Sequence, residues 1–236
     1  MEIEGSESRR VAAGAALAIG LAAVAGFVDA VGFIVLRGLF TAHQSGNAAQ
    51  VGVRVGHGDF GAALPLLVAI ALFVLGAGLG GTIEGLSSRR GGARVAPTLA
   101  LQAGLVAAFM VYGEARVGSG RVVDHSLGEF YVLAALAILA MGLQATSIRR
   151  VGGQSIRTTY ISGVLTDLGR GLVERVRDRD AGTAVGLLAG IVALYLAGAI
   201  LGSVLQARLG LWALALPLAT LLAAAAVDLR RPLAAS

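Results

Sequence analysis

Six long apolar stretches decide what this chain can fold into. Crossing the roughly 30 Å hydrocarbon core of a bilayer takes about 20 apolar residues in a helix. The chain is 56% hydrophobic and only 14% charged, well away from the balance of a water-soluble domain. We therefore predict an all-α integral membrane protein, a single membrane domain over residues 1–236, with six transmembrane helices. The predicted spans are Val11–Leu36, Gly61–Ile83, Val95–Tyr112, Phe130–Ile148, Ala181–Leu205 and Leu209–Val227.

The arginines predict how these helices are oriented. Basic residues accumulate in the cytoplasmic loops of membrane proteins. With a cytoplasmic N-terminus and six crossings, 14 of the 19 arginines fall inside and 5 outside, which predicts that both termini are cytoplasmic. Because these arginines sit in short loops without a basic patch, the net charge of +5 does not indicate a nucleic-acid partner. The outside set is Arg37, Arg54, Arg116, Arg121 and Arg208.

Two short polar segments separate the long spans. Thr41–His57 and Thr158–Glu174 are too short and too polar to be ordinary spans. They share a Thr-x-x-x-Ser-Gly pattern at a constant offset of 117 residues, and Gln50 in the first corresponds to Asp167 in the second. Two interpretations stay open: amphipathic helices on the membrane surface, or re-entrant half-helices buried by the bundle.

The two segments also predict an internal repeat. Each follows a long span and precedes two further spans, which gives repeat one over residues 11–113, an external connector over 114–129 and repeat two over 130–228. Three crossings per unit is an odd number, so the second unit must be upside down relative to the first. Such inverted-topology repeats are common in secondary transporters.

Asp29 is the most unusual residue of the first span. A carboxylate at membrane depth is costly unless it is paired, hydrated or protonated, and it is a functional-site candidate by default. Arg37 and His43 are near enough in sequence to be its partners. The alternative is a packing residue that hydrogen-bonds to a neighbouring backbone.

Polar groups in the short segments complete the candidate site. Ser and Thr are good N-caps, and a helix N-terminus carries free N–H groups and partial positive charge. Two such termini meeting in mid-membrane would form a site for an anion or another polar group. The alternatives are hydroxyls that only cap their own helices, and an Asp167 that faces cytoplasmic water near Arg170. The candidate substrate-binding or coupling residues are Asp29, His43, Ser45, Gly46, Asn47, Gln50, Thr158, Ser162, Gly163 and Asp167.

These motifs resemble a known family. Residues 25–30 (AGFVDA) followed by Ser45-Gly46-Asn47, and residues 142–144 (GLQ) with 157–163 (RTTYISG), are similar to the paired signatures of the YoaK-like bacterial membrane proteins. Ser45 and Ser162 stand where that family usually has Thr, and both keep the hydroxyl. The resemblance implies a six-helix protein of the bacterial inner membrane, in a permease-like family without an established substrate.

The sequence therefore favours a small secondary transporter or permease for an unidentified small polar or anionic solute, with proton coupling through Asp29. A non-transporting membrane scaffold or assembly partner is the alternative, and a passive channel ranks third. No metal site is expected, because the chain has no cysteine and its three histidines lack ligand spacing. No enzymatic activity is expected, because no nucleophile–base set is visible, and no cofactor is expected. The expected partners are the lipid bilayer and the solute, and the oligomeric state stays open.

Overall fold

The computed structural model describes residues 2–89, 94–116, 128–147, 150–151, 154–155, 158–177 and 182–230. Most of the predicted connector 114–129 lies outside these residues, and its two ends belong to helices. The described α-helices are α1 (Glu2–Val35), α2 (Gln44–Gly56), α3 (Phe60–Arg89), α4 (Ala96–Arg116), α5 (Gly128–Ser147), α6 (Ile161–Arg177), α7 (Gly182–Leu209) and α8 (Ala215–Arg230). A 3-10 helix, Gly210–Leu214, joins α7 to α8, and two-residue strands β1 (Arg150–Val151) and β2 (Gln154–Ser155) pair antiparallel.

Five apolar stretches of the described chain are long enough to cross a membrane. Four lie in α1, α3, α4 and α5, while the fifth runs for 47 residues from Ala184 to Arg230. A continuous helix of that length would reach about 70 Å, more than twice the hydrocarbon core. The 3-10 helix interrupts it, and Gly210 takes a positive φ of 60° there. The fold is therefore that of an all-α, multi-pass membrane protein, and α7 and α8 are separate helices.

The two short polar segments form α2 and α6. α2 has 13 residues and α6 has 17. At 1.5 Å per residue these helices extend about 20 and 25 Å, so neither is long enough to cross a bilayer core unaided. α2 packs mainly against α3, and α6 packs mainly against α7.

Glycines bring α1 and α7 into close contact. A Cβ added at Gly26 would collide with the carbonyl oxygen of Tyr195, and one added at Gly198 would collide with that of Ala23. Small residues at such positions let helix backbones approach closely. In a bilayer there is no hydrophobic driving force between helices, so this close packing drives their association. The α1–α7 pair is accordingly one of the two main helix contacts of the fold.

The α3–α5 pair is built in the same way. A Cβ at Gly142 would lie 2.5 Å from the carbonyl oxygen of Phe73, and one at Gly76 would lie 2.6 Å from that of Leu139. Both distances are shorter than real Cβ contacts allow. These glycines therefore fix the approach of α3 to α5.

α4 and α8 run antiparallel. Near the end of α4, the Glu114 Oε1 atom accepts a hydrogen bond of 2.6 Å from the Leu211 N–H, just before α8. Near the end of α8, the buried Asp228 carboxylate accepts one of 2.9 Å from the Ala96 N–H, at the start of α4. Each acid thus satisfies a backbone donor that has no partner within its own helix.

Candidate functional site

Asp29 lies in the buried part of α1, with 4% of its surface exposed. Its Oδ1 atom accepts three hydrogen bonds from the chain that follows α1. The donors are the Thr41 N–H at 2.7 Å, the Thr41 hydroxyl at 2.9 Å and the Ala42 N–H at 2.8 Å. One carboxylate oxygen therefore anchors the segment between α1 and α2 (residues 36–43), which we call the α1–α2 loop.

The second carboxylate oxygen meets two aromatic partners. The Asp29 Oδ2 atom lies 2.6 Å from His43 Nδ1, and it accepts a hydrogen bond of 3.0 Å from the Tyr195 hydroxyl of α7. His43 Nδ1 and the Tyr195 hydroxyl are 3.2 Å apart. The His43 side chain is 24% exposed, whereas Asp29 and Tyr195 are buried. We call Asp29, Thr41, Ala42, His43 and Tyr195 the Asp29 cluster.

The local sequence explains why the loop returns to Asp29. Arg37 and Gly38 both take positive φ, at 54° and 89°, and reverse the chain just beyond the end of α1. Gly32 then leaves room for the returning loop, because a Cβ there would collide with the Thr41 methyl group. The reversal brings three consecutive residues to the carboxylate.

Asn47 holds the same loop from the side of α2. Its Oδ1 atom accepts from the Phe40 N–H at 3.0 Å, and its Nδ2 atom donates to the Phe40 carbonyl at 2.8 Å. Gln50 donates from Nε2 to the Gly38 carbonyl at 3.3 Å. Two predicted site residues thus fasten the loop, and the Asn47 side chain is fully buried.

Ser45 and Gly46 have other roles than predicted. α2 begins at Gln44, so the N-cap position belongs to His43, which makes no side-chain capping bond. Ser45 falls one residue inside the helix and is exposed, and the prediction that it caps α2 is wrong. Gly46 leaves room for the Phe40 ring, whose nearest atoms would lie 2.9 Å from a Cβ at that position.

The second short segment places its polar residues apart. Thr158 is buried, with its hydroxyl 3.5 Å from Gln144 Nε2. Ser162 lies inside α6, which begins at Ile161, and both Ser162 and Asp167 are exposed. Gly163 packs against the Tyr160 ring. Both hydroxyls are exposed, so Ser45 and Ser162 do not form the predicted site in which two helix N-termini meet in mid-membrane.

A buried amide pair was absent from the sequence-based site. Gln102 of α4 donates from Nε2 to Gln144 Oε1 at 2.6 Å, and Gln144 donates to the Leu21 carbonyl at 2.7 Å. Within the described part of the chain, the buried Gln102 Oε1 atom has no hydrogen-bond partner. Gln102 lies in the middle of an apolar stretch, as Asp29 does, and that position is the signal that could have identified it from the sequence.

The cluster pairs a buried carboxylate with a partly exposed imidazole. Asp29 and His43 together offer a carboxylate and an imidazole that share one short contact, and the partly exposed His43 connects it to the protein surface. Among the described residues, no three His, Cys, Asp or Glu side chains gather closely enough to hold a metal ion.

Comparison with known proteins agrees with the resemblance seen in the motifs. Residues 17–227 match the family described as "Protein of unknown function (DUF1275)". The chain is also 25% identical over 148 residues to the UPF0700 transmembrane protein YoaK of Bacillus subtilis (strain 168), an alignment covering 63% of this chain and 62% of that relative. The chain thus spans less than two thirds of that relative's length. No solved structure matches it. The chain belongs to the YoaK-like DUF1275 family of transmembrane proteins, whose function is unknown.

Proposed function

We propose that this protein is a small secondary transporter for a small polar or anionic solute, coupled to protons through Asp29 and His43. The observation that carries the proposal is the contact of 2.6 Å between these side chains, in a cluster buried against α7. Ionisable groups inside membrane helices are rare and commonly belong to substrate or proton pathways. A partly exposed histidine beside a buried carboxylate gives such a pathway an entrance.

Protonation of Asp29 would act on the α1–α2 loop. The charged carboxylate holds Thr41 and Ala42 through three hydrogen bonds. Bonds to a charged group contribute about 1.5–3 kcal/mol each, roughly twice the neutral case. A proton on Asp29 removes the charge and weakens all three together, so the loop has a tightly held state and a loosened state that a proton selects.

Matching contacts in the two halves support a repeat. α2 and α6 begin at Gln44 and Ile161, which are 117 residues apart. Three glycine contacts of the α1–α7 pair recur in the α3–α5 pair, with an offset of 116 residues between α1 and α5 and of 122 residues between α3 and α7. The three pairs of matching contacts are Gly26–Tyr195 with Gly142–Phe73, Ala23–Gly198 with Leu139–Gly76, and Phe27–Gly202 with Leu143–Gly80.

The α4–α8 pair supports inversion of that repeat. These helices hold corresponding places as the third span of each unit, and they run antiparallel. The reciprocal bonds from Leu211 to Glu114 and from Ala96 to Asp228 have the form expected of a two-fold axis in the membrane plane. We infer six crossings from this arrangement. The division of the arginines, 14 to 5, supports both termini on the cytoplasmic side, and the family resemblance supports the bacterial inner membrane.

The two units differ where protons would bind. At the offsets above, Asp29 corresponds to Ala145 and Tyr195 corresponds to Phe73, while His43 corresponds to Tyr160. The carboxylate and the imidazole therefore belong to the first unit. A carboxylate–imidazole pair in one unit, with no counterpart at the matching positions of the other, is the asymmetry expected of a transporter with a single proton site per chain.

A scaffold or assembly partner is the second candidate. The exposed positions of Ser45 and Ser162 favour it, because a substrate site shared by both short segments would bury these hydroxyls. In that case the Asp29 cluster only fastens the α1–α2 loop. A passive channel is a third reading, distinguished by flux that neither saturates nor moves protons.

The test is proton flux in proteoliposomes loaded with a pH-sensitive dye. A panel of small polar and anionic metabolites selected by thermal shift is added outside, and dye fluorescence reports solute-driven proton movement. We expect saturable flux in the wild type and its loss in Asp29→Asn, which keeps the shape and removes the charge. Ser162→Ala, which changes an exposed hydroxyl, is the matched control.

A folded Asp29→Asn variant whose flux and pH dependence equal those of the wild type would contradict proton coupling. A wild type that moves no member of the panel, while Asp29→Asn is simply less stable, would favour the scaffold.

A further inference from the structure

A neutral polar cluster lies between α1, α4 and α5. Gln102 of α4 and Gln144 of α5 are buried, and so is Thr158, which precedes α6. Gln102 donates to Gln144 at 2.6 Å, and Gln144 donates in turn to the Leu21 carbonyl of α1 at 2.7 Å. The Thr158 hydroxyl lies 3.5 Å from Gln144 Nε2. We call these four residues the Gln102 cluster, and none of their side chains ionises.

The hydrogen bonds fix which way each amide of the cluster points. The Leu21 carbonyl is only an acceptor, so Gln144 must present its Nε2 atom there. The Gln144 Oε1 atom then faces Gln102, which must present its own Nε2 atom. Rotating either amide would set like groups against each other. The Gln102 Oε1 atom is therefore the end of the chain of hydrogen bonds.

That end is an acceptor without a donor. The Gln102 side chain is fully buried, and its Oε1 atom has no hydrogen-bond partner among the residues that the structure describes. A buried acceptor left unsatisfied costs the full penalty of its desolvation, and most buried polar side-chain atoms have a protein or water partner. The free acceptor therefore indicates a donor that the described residues do not supply.

The Gln102 cluster matches the Asp29 cluster in the proposed repeat. Thr41 and Thr158 are the first residues of the two short segments, 117 residues apart. The Thr41 hydroxyl donates to Asp29 on α1, and the Thr158 hydroxyl lies near Gln144 on α5. Gln144 directly precedes the residue that corresponds to Asp29. The two units thus carry related polar clusters, of which the first is charged and the second is neutral.

The cluster also joins the two units. Leu21 and Gln102 belong to the first unit, on α1 and α4, whereas Gln144 belongs to the second unit, on α5. Substrate sites of transporters with inverted repeats lie at the interface between the repeats. A free acceptor at such an interface is placed where a solute site is expected.

We propose that the Gln102 cluster binds an uncharged polar solute, whose hydroxyl or N–H group donates a hydrogen bond to Gln102 Oε1. A neutral amide suits such a group, whereas an ion would lose its hydration there without gaining a counter-charge. Leu21 and Asp29 are eight residues apart on α1, which is about 12 Å along the helix axis. Both clusters are thus attached to one helix. Assigning this solute as the transported substrate rests on the proposed function, whereas its binding does not.

The test is stabilisation of the full-length protein in detergent micelles by two pairs of probes. Acetamide and ethylene glycol donate hydrogen bonds, whereas their methylated counterparts, N,N-dimethylacetamide and 1,2-dimethoxyethane, only accept them. A ligand that binds the folded state raises the midpoint of thermal unfolding as its concentration passes the dissociation constant. We expect this rise to follow a single-site binding curve for at least one donor probe and to be absent for both methylated probes.

Two results of this titration would overturn the solute site. If neither donor probe follows a binding curve, the donor to Gln102 Oε1 is a resident water molecule. If a methylated probe stabilises the protein as much as its donor counterpart, binding does not depend on a donated hydrogen bond.

Variants assign the binding to the cluster. Gln102→Met removes the acceptor at similar side-chain length and should weaken binding of the donor probe at least tenfold. Because it also leaves Gln144 Oε1 without its donor, the double variant Gln102→Met/Gln144→Met is measured beside it. Replacing both members of a buried hydrogen-bonded pair by apolar groups of similar shape is nearly neutral for stability, so the double variant should fold.

Gln206→Met is the matched control, because it makes the same change at another buried glutamine, near the end of α7. It should bind the donor probe as the wild type does. Undiminished binding in the double variant, or an equal loss in Gln206→Met, would overturn the assignment to Gln102.

The binding and flux experiments fail independently. Donor binding that depends on Gln102, in a protein that moves no protons, would remove the transporter and leave the solute site. Proton flux that persists in Gln102→Met, without binding of either donor probe to the wild type, would remove the solute site and leave the transporter.

Discussion

At the scale of single residues, Asp29 illustrates how a carboxylate is kept inside a membrane protein. Removing it from water is expensive, and the compensation is five close polar contacts from three residues of the loop and one of α7. Four of these contacts come from the loop and one from Tyr195, which joins the loop to a distant helix. Tyr195 is therefore the residue whose removal tests the cluster without removing its charge.

We expect Tyr195→Phe to destabilise the protein by about 1.5–3 kcal/mol, because it removes a buried hydrogen bond to a charged group and leaves the ring in place. The measurement is the free energy of unfolding in mixed detergent micelles. Tyr131→Phe on α5, whose ring contacts Phe130, removes the same atom away from the cluster and should change the free energy less. Equal losses in the two variants would argue against a special role for the Asp29 contact.

The sequence predicted Asp29 as a candidate and offered Arg37 and His43 as its partners because they are close in the chain, and the structure places His43 on the carboxylate. The sequence did not predict Tyr195, which is 166 residues from Asp29 and lies in a span where one tyrosine attracts no notice. Only the packing of α1 on α7, which depends on glycines along both helices, brings it to the carboxylate. The partners of a buried polar residue can therefore be predicted from the sequence when they are close to it in the chain.

At the scale of elements, the long helices could be predicted from the length of the apolar stretches. The residues at which the short helices begin could not. α2 and α6 begin three residues after the first residue of each segment predicted from the Thr-x-x-x-Ser-Gly pattern. The pattern suggested that Ser45 and Ser162 cap these helices, but in both segments the helix has already started at the preceding residue. In the first segment the first residue of the pattern, Thr41, instead holds the loop by donating a hydrogen bond to Asp29.

The glycines on α7 give an element-scale prediction. Gly198→Ala should destabilise the protein by about 1–3 kcal/mol, because the new methyl group overlaps the Ala23 backbone of α1. Gly186→Ala in the same helix meets nothing within 4 Å and should be neutral or slightly stabilising, since alanine is the better helix former. Unfolding free energies of the two variants are compared. Similar values would mean that α1 and α7 do not pack through these glycines.

At the scale of the whole molecule, the proposed repeat unites observations that are separate at the smaller scales. The offset of the short segments was visible in the sequence, whereas the matching glycine contacts and the reciprocal bonds of Glu114 and Asp228 required the packed structure. A sequence rich in alanine, glycine and leucine hides such a repeat, because chance identities are frequent in it. Three-dimensional contacts between particular backbones are much less frequent by chance.

The topology of the whole chain is open to a direct test. The 14-to-5 division of arginines assigns Ser88, which is exposed at the end of α3, to the cytoplasmic side. It assigns Ser119, which lies outside the described residues, to the external connector. Because the chain has no cysteine, Ser88→Cys and Ser119→Cys each create a single thiol. An impermeant thiol reagent should label Ser119→Cys in intact cells and Ser88→Cys only after permeabilisation.

This labelling tests the crossings rather than the packing. If α2 were a span of its own, the chain would cross once more before Ser88, and Ser88→Cys would react from outside. At 13 residues, α2 is too short for that crossing, so its length and the arginine count make the same prediction. Labelling of both Ser88→Cys and Ser119→Cys in intact cells would contradict the six-crossing assignment, and with it the inversion that the antiparallel α4–α8 pair supports.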